Sequence, residues 1–271
     1  MNANILTRNN IKIFGTGKQP LVFAHGFGCD QNMWRFVTPA FAEAYQIVLF
    51  DYVGSGKSDL AAYNSARYSH LSGYAQDIND IVDSLGLEDI IFVGHSVSSV
   101  IGMLASLKKP ERFQQLIMVG PLPRYINDPP DYVGGFERAD IEGLFAMMDK
   151  NYLGWASFLA PAIMQNPEKP ELSNELKDSF CSTDPVIARQ FAQATFFSDN
   201  REDFAKVQVP SLILQCTDDI IAPLVVGEYL HQHLPQSTLR VLKATGHCPH
   251  LSHPDETITV IKDYLRDMAS D

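Results

Sequence analysis

Ser96, Asp219 and His247 are the three residue types that together turn an alcohol into a nucleophile, and they occur in that order in this 271-residue chain. A serine hydroxyl is weakly nucleophilic near neutral pH, so it needs an imidazole within hydrogen-bond reach, and the imidazole needs a carboxylate to fix its tautomer. Ser96 is the apex of Ile91-Phe92-Val93-Gly94-His95-Ser96-Val97-Ser98-Ser99-Val100, an apolar run that enters a turn and then a helical pattern. Such an elbow lifts the serine oxygen above a sheet and needs small flanking residues. Gly94 and Ser98 fill that need, Ser98 standing where the G-x-S-x-G pattern has glycine. Asp219 and His247 each follow another short apolar run, with Asp218 as a rival carboxylate. The order Ser, Asp, His differs from those of chymotrypsin and subtilisin.

His25-Gly26-Phe27-Gly28 is the second chemical signal. Glycines on both sides of Phe27 let its N–H turn into a cleft, and with the N–H of Val97 it would make an oxyanion hole. Two other patterns fail on context. Gly56-Lys57-Ser58 ends like a phosphate loop, but the spacing requires glycine where Asp51 stands, and no helical pattern follows. His247, His250 and His253, like His231 and His233, are closely spaced. The first three straddle Pro249 and Pro254 and share no helical face, so no metal site is expected; His250 and His253 read as turn or capping residues.

These groups need a scaffold that brings distant strand ends to one edge. Leu21 to Ala24, Gln46 to Phe50, the run from Ile91 into the elbow, Leu116 to Val119, Val209 to Gln215 and Leu239 to Leu242 are short apolar runs of the kind that form doubly covered strands, and strand, elbow and helix together span Ile90 to Lys109. Leu71, Tyr74, Ala75, Ile78, Ile81, Val82 and Leu85 recur at helical spacing before Gly86, and Ile258, Ile261, Leu265 and Met268 mark a closing helix. This alternation predicts an α/β protein with a largely parallel sheet. Ile5 to Phe14, split by Arg8-Asn9-Asn10, predicts an antiparallel edge hairpin. From Tyr125 to Asn200 no strand is evident and helical faces recur, so an inserted helical lid is expected there. That segment holds 11 of the 28 aromatic residues, a modest excess that makes Phe136, Trp155, Phe158, Phe196 and Phe197 candidates for an apolar pocket roof.

The net charge of −11 disfavours nucleic acid and anionic membranes as partners. No membrane-length apolar stretch or signal-peptide pattern is present, which predicts a cytoplasmic location, and the four scattered cysteines read as reduced thiols without a catalytic role.

With these motifs in view, the chain resembles the RsbQ group of α/β-hydrolases, which includes the plant karrikin and strigolactone receptors. The likeness runs through His25-Gly26-Phe27-Gly28, Phe50-Asp51-Tyr52-Val53-Gly54-Ser55-Gly56, Gly94-His95-Ser96-Val97-Ser98, Asn127-Asp128-Pro129-Pro130-Asp131-Tyr132 and Gly134-Gly135-Phe136-Glu137. It continues through Phe180-Cys181-Ser182-Thr183-Asp184-Pro185, Asp218-Asp219 and Gly246-His247-Cys248-Pro249-His250. The resemblance implies an α/β-hydrolase core, residues 1–124 and 201–271, with a mostly parallel eight-stranded sheet and a helical lid at 125–200. It implies a substrate pocket at His95, Phe136, Trp155, Phe158, Phe196 and Phe197, with Phe27 beside them, and no cofactor. The activity implied is hydrolysis of a small hydrophobic ester or lactone through an acyl-enzyme. A regulatory role in stress signalling with an RsbP-like serine phosphatase partner is also implied. The alternative is a butenolide-receptor-like sensor whose slow hydrolysis controls a protein partner. A dehalogenase or epoxide hydrolase on this scaffold would carry aspartate at the elbow, where Ser96 stands.

Overall fold

The computed structural model describes residues 5–269, so positions 1–4 and 270–271 of the expected core lie outside the described residues. In chain order the elements are α1 (Ile5–Arg8), β1 (Lys12–Phe14), β2 (Pro20–Ala24), β3 (Gln46–Leu49), α2 (Leu71–Leu85), β4 (Ile90–His95), α3 (Val97–Lys108) and β5 (Phe113–Val119). There follow α4 (Arg138–Lys150), α5 (Tyr152–Met164), α6 (Pro170–Ser182), α7 (Pro185–Phe196) and α8 (Arg201–Phe204). The chain then completes β6 (Ser211–Asp218), α9 (Leu224–His233), β7 (Ser237–Thr245), α10 (Pro249–Ser252) and α11 (Pro254–Met268).

The strands form one sheet in the order β1-β3-β2-β4-β5-β6-β7. Every neighbouring pair is parallel except β1 with β3. Each residue of β2 and β4 is buried, as expected for strands covered on both faces, where no polar alternation is tolerated. One face is covered by α2 and α3, whose Tyr74, Ile78, Val100 and Ile101 join the same core as Val22 and Phe92. On the other face Trp34, Phe41 and Ile261 pack with Phe23 and Val93, and this core continues without a break into the lid residues Trp155, Leu159 and Phe180. Among the described residues no helix is long and apolar enough to cross a membrane.

The N-terminal hairpin is not formed. Residues Ile5–Arg8 make one helical turn, closed by a left-handed Asn10 at φ 45°, and only β1 enters the sheet, at the edge beside β3. The described sheet accordingly has seven strands, one fewer than expected. The cause is a tertiary charge that local spacing does not reveal. Arg8 reaches Asp77 at 3.4 Å and Asp80 at 3.1 Å on α2, which draws the first segment off the sheet edge.

The insertion after β5 folds as four helices, α4 to α7, with α5 packed on α6 and α4 on α7. Their ends are set locally. Asp184 caps α7 by accepting from the N–H groups of Val186 and Ile187, and Glu137 and Asp140 form a reciprocal capping box on α4. The two stems of the insertion meet where Arg124 bridges Asp199, their side chains 2.6 Å apart, and Arg201 reaches Asp128 at 2.7 Å.

The Asp77 carboxylate is fully buried and is held by Tyr68 Oη at 3.0 Å and by the guanidinium groups of Arg8 and Arg67. Burial raises its pKa against the pull of those two cations. Removing the acid leaves Tyr68 Oη without its acceptor and Arg8 and Arg67 with Asp80 alone, so Asp77→Ala is expected to cost about 1 to 3 kcal/mol in urea unfolding. A loss below 1 kcal/mol would show that the network contributes little.

Candidate active site

Strand β4 delivers Ser96 into a backbone conformation that L-residues avoid, φ 56° and ψ −124°. The residue is held there by its N–H donating to Val119 O at 2.7 Å and by the close crossing of α3 over β4. A Cβ on Gly94 would stand 2.5 Å from Ser98 O, so only glycine allows that crossing. The loop after β7 brings His247 over the elbow. Its Nε2 lies 2.8 Å from Ser96 Oγ, and its Nδ1 lies 2.7 Å from Asp219 Oδ2. With the Nδ1 proton donated to Asp219, Nε2 is the acceptor for the serine hydroxyl. The other oxygen of Asp219 accepts from the N–H groups of Ile221 and Ala222 at 2.8 and 3.0 Å, which leaves the carboxylate no freedom to turn. Asp218 points to solvent and contributes only its carbonyl, which accepts from Gly246 N–H at 2.7 Å.

The loop after β2 faces the elbow. His25 organises it: Nε2 accepts the Tyr52 N–H at 3.3 Å and Nδ1 donates to Gly26 O at 2.9 Å. Among the described residues the Phe27 N–H makes no hydrogen bond, and Val97 is the first residue of α3, whose N–H has no acceptor within its helix. Two donors free of internal partners thus border the serine, the arrangement that an oxyanion needs.

The cavity above Ser96 is walled by Phe27, Phe136, Leu144, Leu159, Ile163, Leu176, Phe180 and Phe196, with His95, Tyr125 and His247 as its polar groups. Of the expected pocket residues, His95, Phe136 and Phe196 line it. Trp155, Phe158 and Phe197 do not. Trp155 sits one layer back, its ring 6.2 Å from Phe27 and 5.3 Å from Phe180. Phe158 lies 57 % exposed on the outer side of the lid, three residues from Trp155 but turned outward. Phe197 stacks on Phe145 at 5.4 Å, away from the cavity. Sequence shows that these residues are aromatic but not which way each helix turns, and the aliphatic lining carries no signal above ordinary core. Tyr125 also lines the cavity, with no sequence signal to mark it. Its hydroxyl faces Ser96, and burial raises its pKa, so it remains a proton donor.

His250, expected as a turn or capping residue, lies in the single helical turn α10. It is fully buried between Trp34, at 4.5 Å, and His95, at 4.4 Å, and burial pushes it down to about 3, so it is neutral. His253 occupies the N-cap position of α11. Among the described residues no group of three His, Cys, Asp or Glu side chains is placed to hold a metal ion. The phosphate-loop reading fails for a structural reason. Asp51 folds its own loop, accepting from the N–H groups of Gln31 and Lys57, both at 2.9 Å, and from Asn10 Nδ2 at 2.7 Å. Cys29 and Cys248 border the cavity, but burial raises both thiols above their usual range, so they are poor nucleophiles.

A family model described as alpha/beta hydrolase fold matches residues 19–254. The chain is 40% identical over 258 residues to Karrikin insensitive 2 receptor CA of Petunia hybrida, covering 95% of both proteins. It is 39% identical over 263 residues to Strigolactone esterase D14 of Arabidopsis thaliana, covering 97% of this chain and 98% of that one. The solved structure of a hydrolase from Oleispira antarctica superposes with a TM-score of 0.95 at 45% identity, covering 97% of this chain and 96% of the other.

Ser98, the departure from the elbow pattern, is fully used. Its hydroxyl donates to His25 O at 2.5 Å and meets Tyr52 Oη at 2.9 Å, tying the helix after the nucleophile to the loop that carries Phe27. Ser98→Gly would restore the common pattern yet leave two buried partners unmatched. A destabilisation of about 2 to 3 kcal/mol is expected in urea unfolding, and an unchanged midpoint would refute the tie.

Proposed function

The chain belongs to the α/β-hydrolase family and is related to the plant karrikin and strigolactone receptors and to bacterial hydrolases, and from that premise we propose that it cleaves small hydrophobic esters or lactones through an acyl-enzyme on Ser96. The carrying observation is the unbroken hydrogen-bonded chain Ser96–His247–Asp219 opening onto an apolar cavity. His247 Nε2 takes the serine proton as Oγ bonds to the carbonyl carbon, and the carbonyl oxygen, now an anion, accepts from Phe27 and Val97 N–H. Collapse breaks the bond to the alcohol oxygen, which receives the proton from His247. For a lactone that alcohol stays joined to the acyl group. Water, deprotonated by the same imidazole, then releases the acid and restores Ser96. Asp219 stays ionised and stabilises the imidazolium in both steps.

The apolar walls favour a substrate with little charge, since an uncompensated carboxylate or ammonium against Leu144, Leu159 and Phe196 would lose its hydration. A second reading is supported by a relative whose name is that of a receptor, at 40% identity over nearly the whole chain. In it the same reaction runs slowly and the lid reports the bound or acylated state to a protein partner. A stress-signalling role of the RsbQ type, with a serine phosphatase as partner, is the regulatory form of this second reading.

Ser96→Ala should lower hydrolysis of a short-chain p-nitrophenyl ester by about 10⁴-fold or more while ligand-induced thermal shifts persist. Intact-mass spectra after exposure to a butenolide should show one acyl adduct on wild type and none on the variant. An adduct of equal yield on both proteins would remove Ser96 from the chemistry. Rapid multiple turnover supports the enzyme reading, and a stoichiometric long-lived adduct supports the sensor.

A further inference from the structure

We propose that Asn166, in the turn that ends lid helix α5, is a positioning residue for His247, so that the lid sets the geometry of the catalytic base. The inference rests on the hydrolase reading above and adds a residue that has no contact with the reacting atoms.

The His247 peptide is gripped from two sides. Its N–H donates to Ile163 O, in the last turn of α5, at 2.9 Å. Its carbonyl accepts from His95 Nε2 on the elbow at 2.7 Å. The base is therefore suspended between the lid and the nucleophile's own strand end. Asn166 secures the lid side. Its side chain is buried, and Nδ2 donates to Met164 O at 2.8 Å and to Thr245 O at 2.9 Å. One amide group thus spans the end of α5 and the residue that closes β7, using both of its protons. The fit between the two segments is tight, because a Cβ on Gly246, at φ 80°, would stand 2.2 Å from Met164 O.

This arrangement is held against a conformational cost. Gln165, at φ 50° and ψ −140°, and Asn166, at φ 50°, are consecutive non-glycine residues with positive φ, a backbone that L-residues avoid and asparagine tolerates better than most. A turn that only had to end a helix could use glycine. The amide explains the asparagine. Ile163 completes the link to ligand, since its side chain lines the cavity while its carbonyl holds the base. A group that pushes on Ile163 pushes on the peptide of His247.

Asn166→Gly keeps the left-handed backbone and removes only the amide. A shift of a fraction of an ångström at a general base costs about 10- to 100-fold. The variant is expected to lose that much in kcat on a p-nitrophenyl ester, with KM within about twofold of wild type. The low-field proton resonance of the His247 Nδ1–H, recorded without substrate, should broaden or disappear. Asn166→Ser, whose short side chain cannot span Met164 O and Thr245 O together, should behave alike and serves if the glycine variant does not fold. Retained kcat with an intact resonance, or a loss confined to KM, overturns the proposal. Wild-type protein without Ser96-dependent turnover would end the hydrolase reading instead, and the resonance would still test the clasp on its own.

Discussion

The backbone at Ser96 is the constraint on which the remaining architecture depends. A serine at φ 56° and ψ −124° is unfavourable by about 1 to 3 kcal/mol, and it persists only where surrounding bonds leave no alternative. Here those bonds come from every direction. Val119 O takes its N–H, Ser99 Oγ ties back to Gly94 O at 2.8 Å, and Ser98 Oγ ties the following turn to His25 O. The strain places Oγ above the sheet without a long side chain, so its position carries little rotational entropy. Because β4 lies between β2 and β5, the loops after β2, β5, β6 and β7 all end near the same edge. Phe27, Tyr125, Asp219 and His247 come from those four loops. Parallel neighbours are what make a single edge possible.

Charge is handled by keeping most of the site neutral. His95 is buried against His247 and His250 against His95, and burial, reinforced by the neighbouring imidazoles, lowers the pKa of His95. Two cationic imidazoles behind His247 would oppose the imidazolium that must form during catalysis. Kept neutral, they serve as a packed wall and, through His95 Nε2, as a hydrogen-bond donor to the His247 carbonyl. The one negative charge at the site, Asp219, is matched by two backbone N–H groups and by the Nδ1 proton. It needs no cation, and the apolar cavity is not asked to hold one.

Features that depend on local spacing are legible in the sequence itself. The elbow announces itself through an apolar run, Gly94 and Ser96, and α2 through its periodicity and the stop at Gly86, which has φ 63°. Features that depend on a distant partner are not. The expected hairpin at residues 5–14 became a helical turn because Arg8 finds Asp77, some seventy positions away. Among the lid aromatics, Phe136 and Phe196 face the cavity while Trp155, Phe158 and Phe197 do not, since orientation follows from how α5 and α7 pack and not from residue type. Asn166 carried no signal at all. Its role exists only because α5 ends beside β7.

The enzyme and sensor readings differ in one rate constant more than in structure. Acylation as proposed would draw on groups already in place: the hydrogen-bonded chain, two N–H groups and an apolar cavity in which their fields are little screened. Deacylation would need one thing more, a water molecule at Nε2 of His247, at a cavity lined mostly by Leu, Ile and Phe. An acyl group that fills the cavity leaves no polar path for water except past Tyr125 and His95. On the proposed acyl-enzyme, lid movement would then govern the lifetime of the adduct. A lid that opens quickly yields turnover, and one that stays closed yields a protein marked by its ligand for as long as the ester bond lasts. The same contacts that exclude water also hold the base, since Ile163 belongs to both the cavity wall and the His247 clasp. Opening the lid to admit water therefore loosens the base that must activate it. In the sensor reading proposed above, this opposition is what would keep hydrolysis slow.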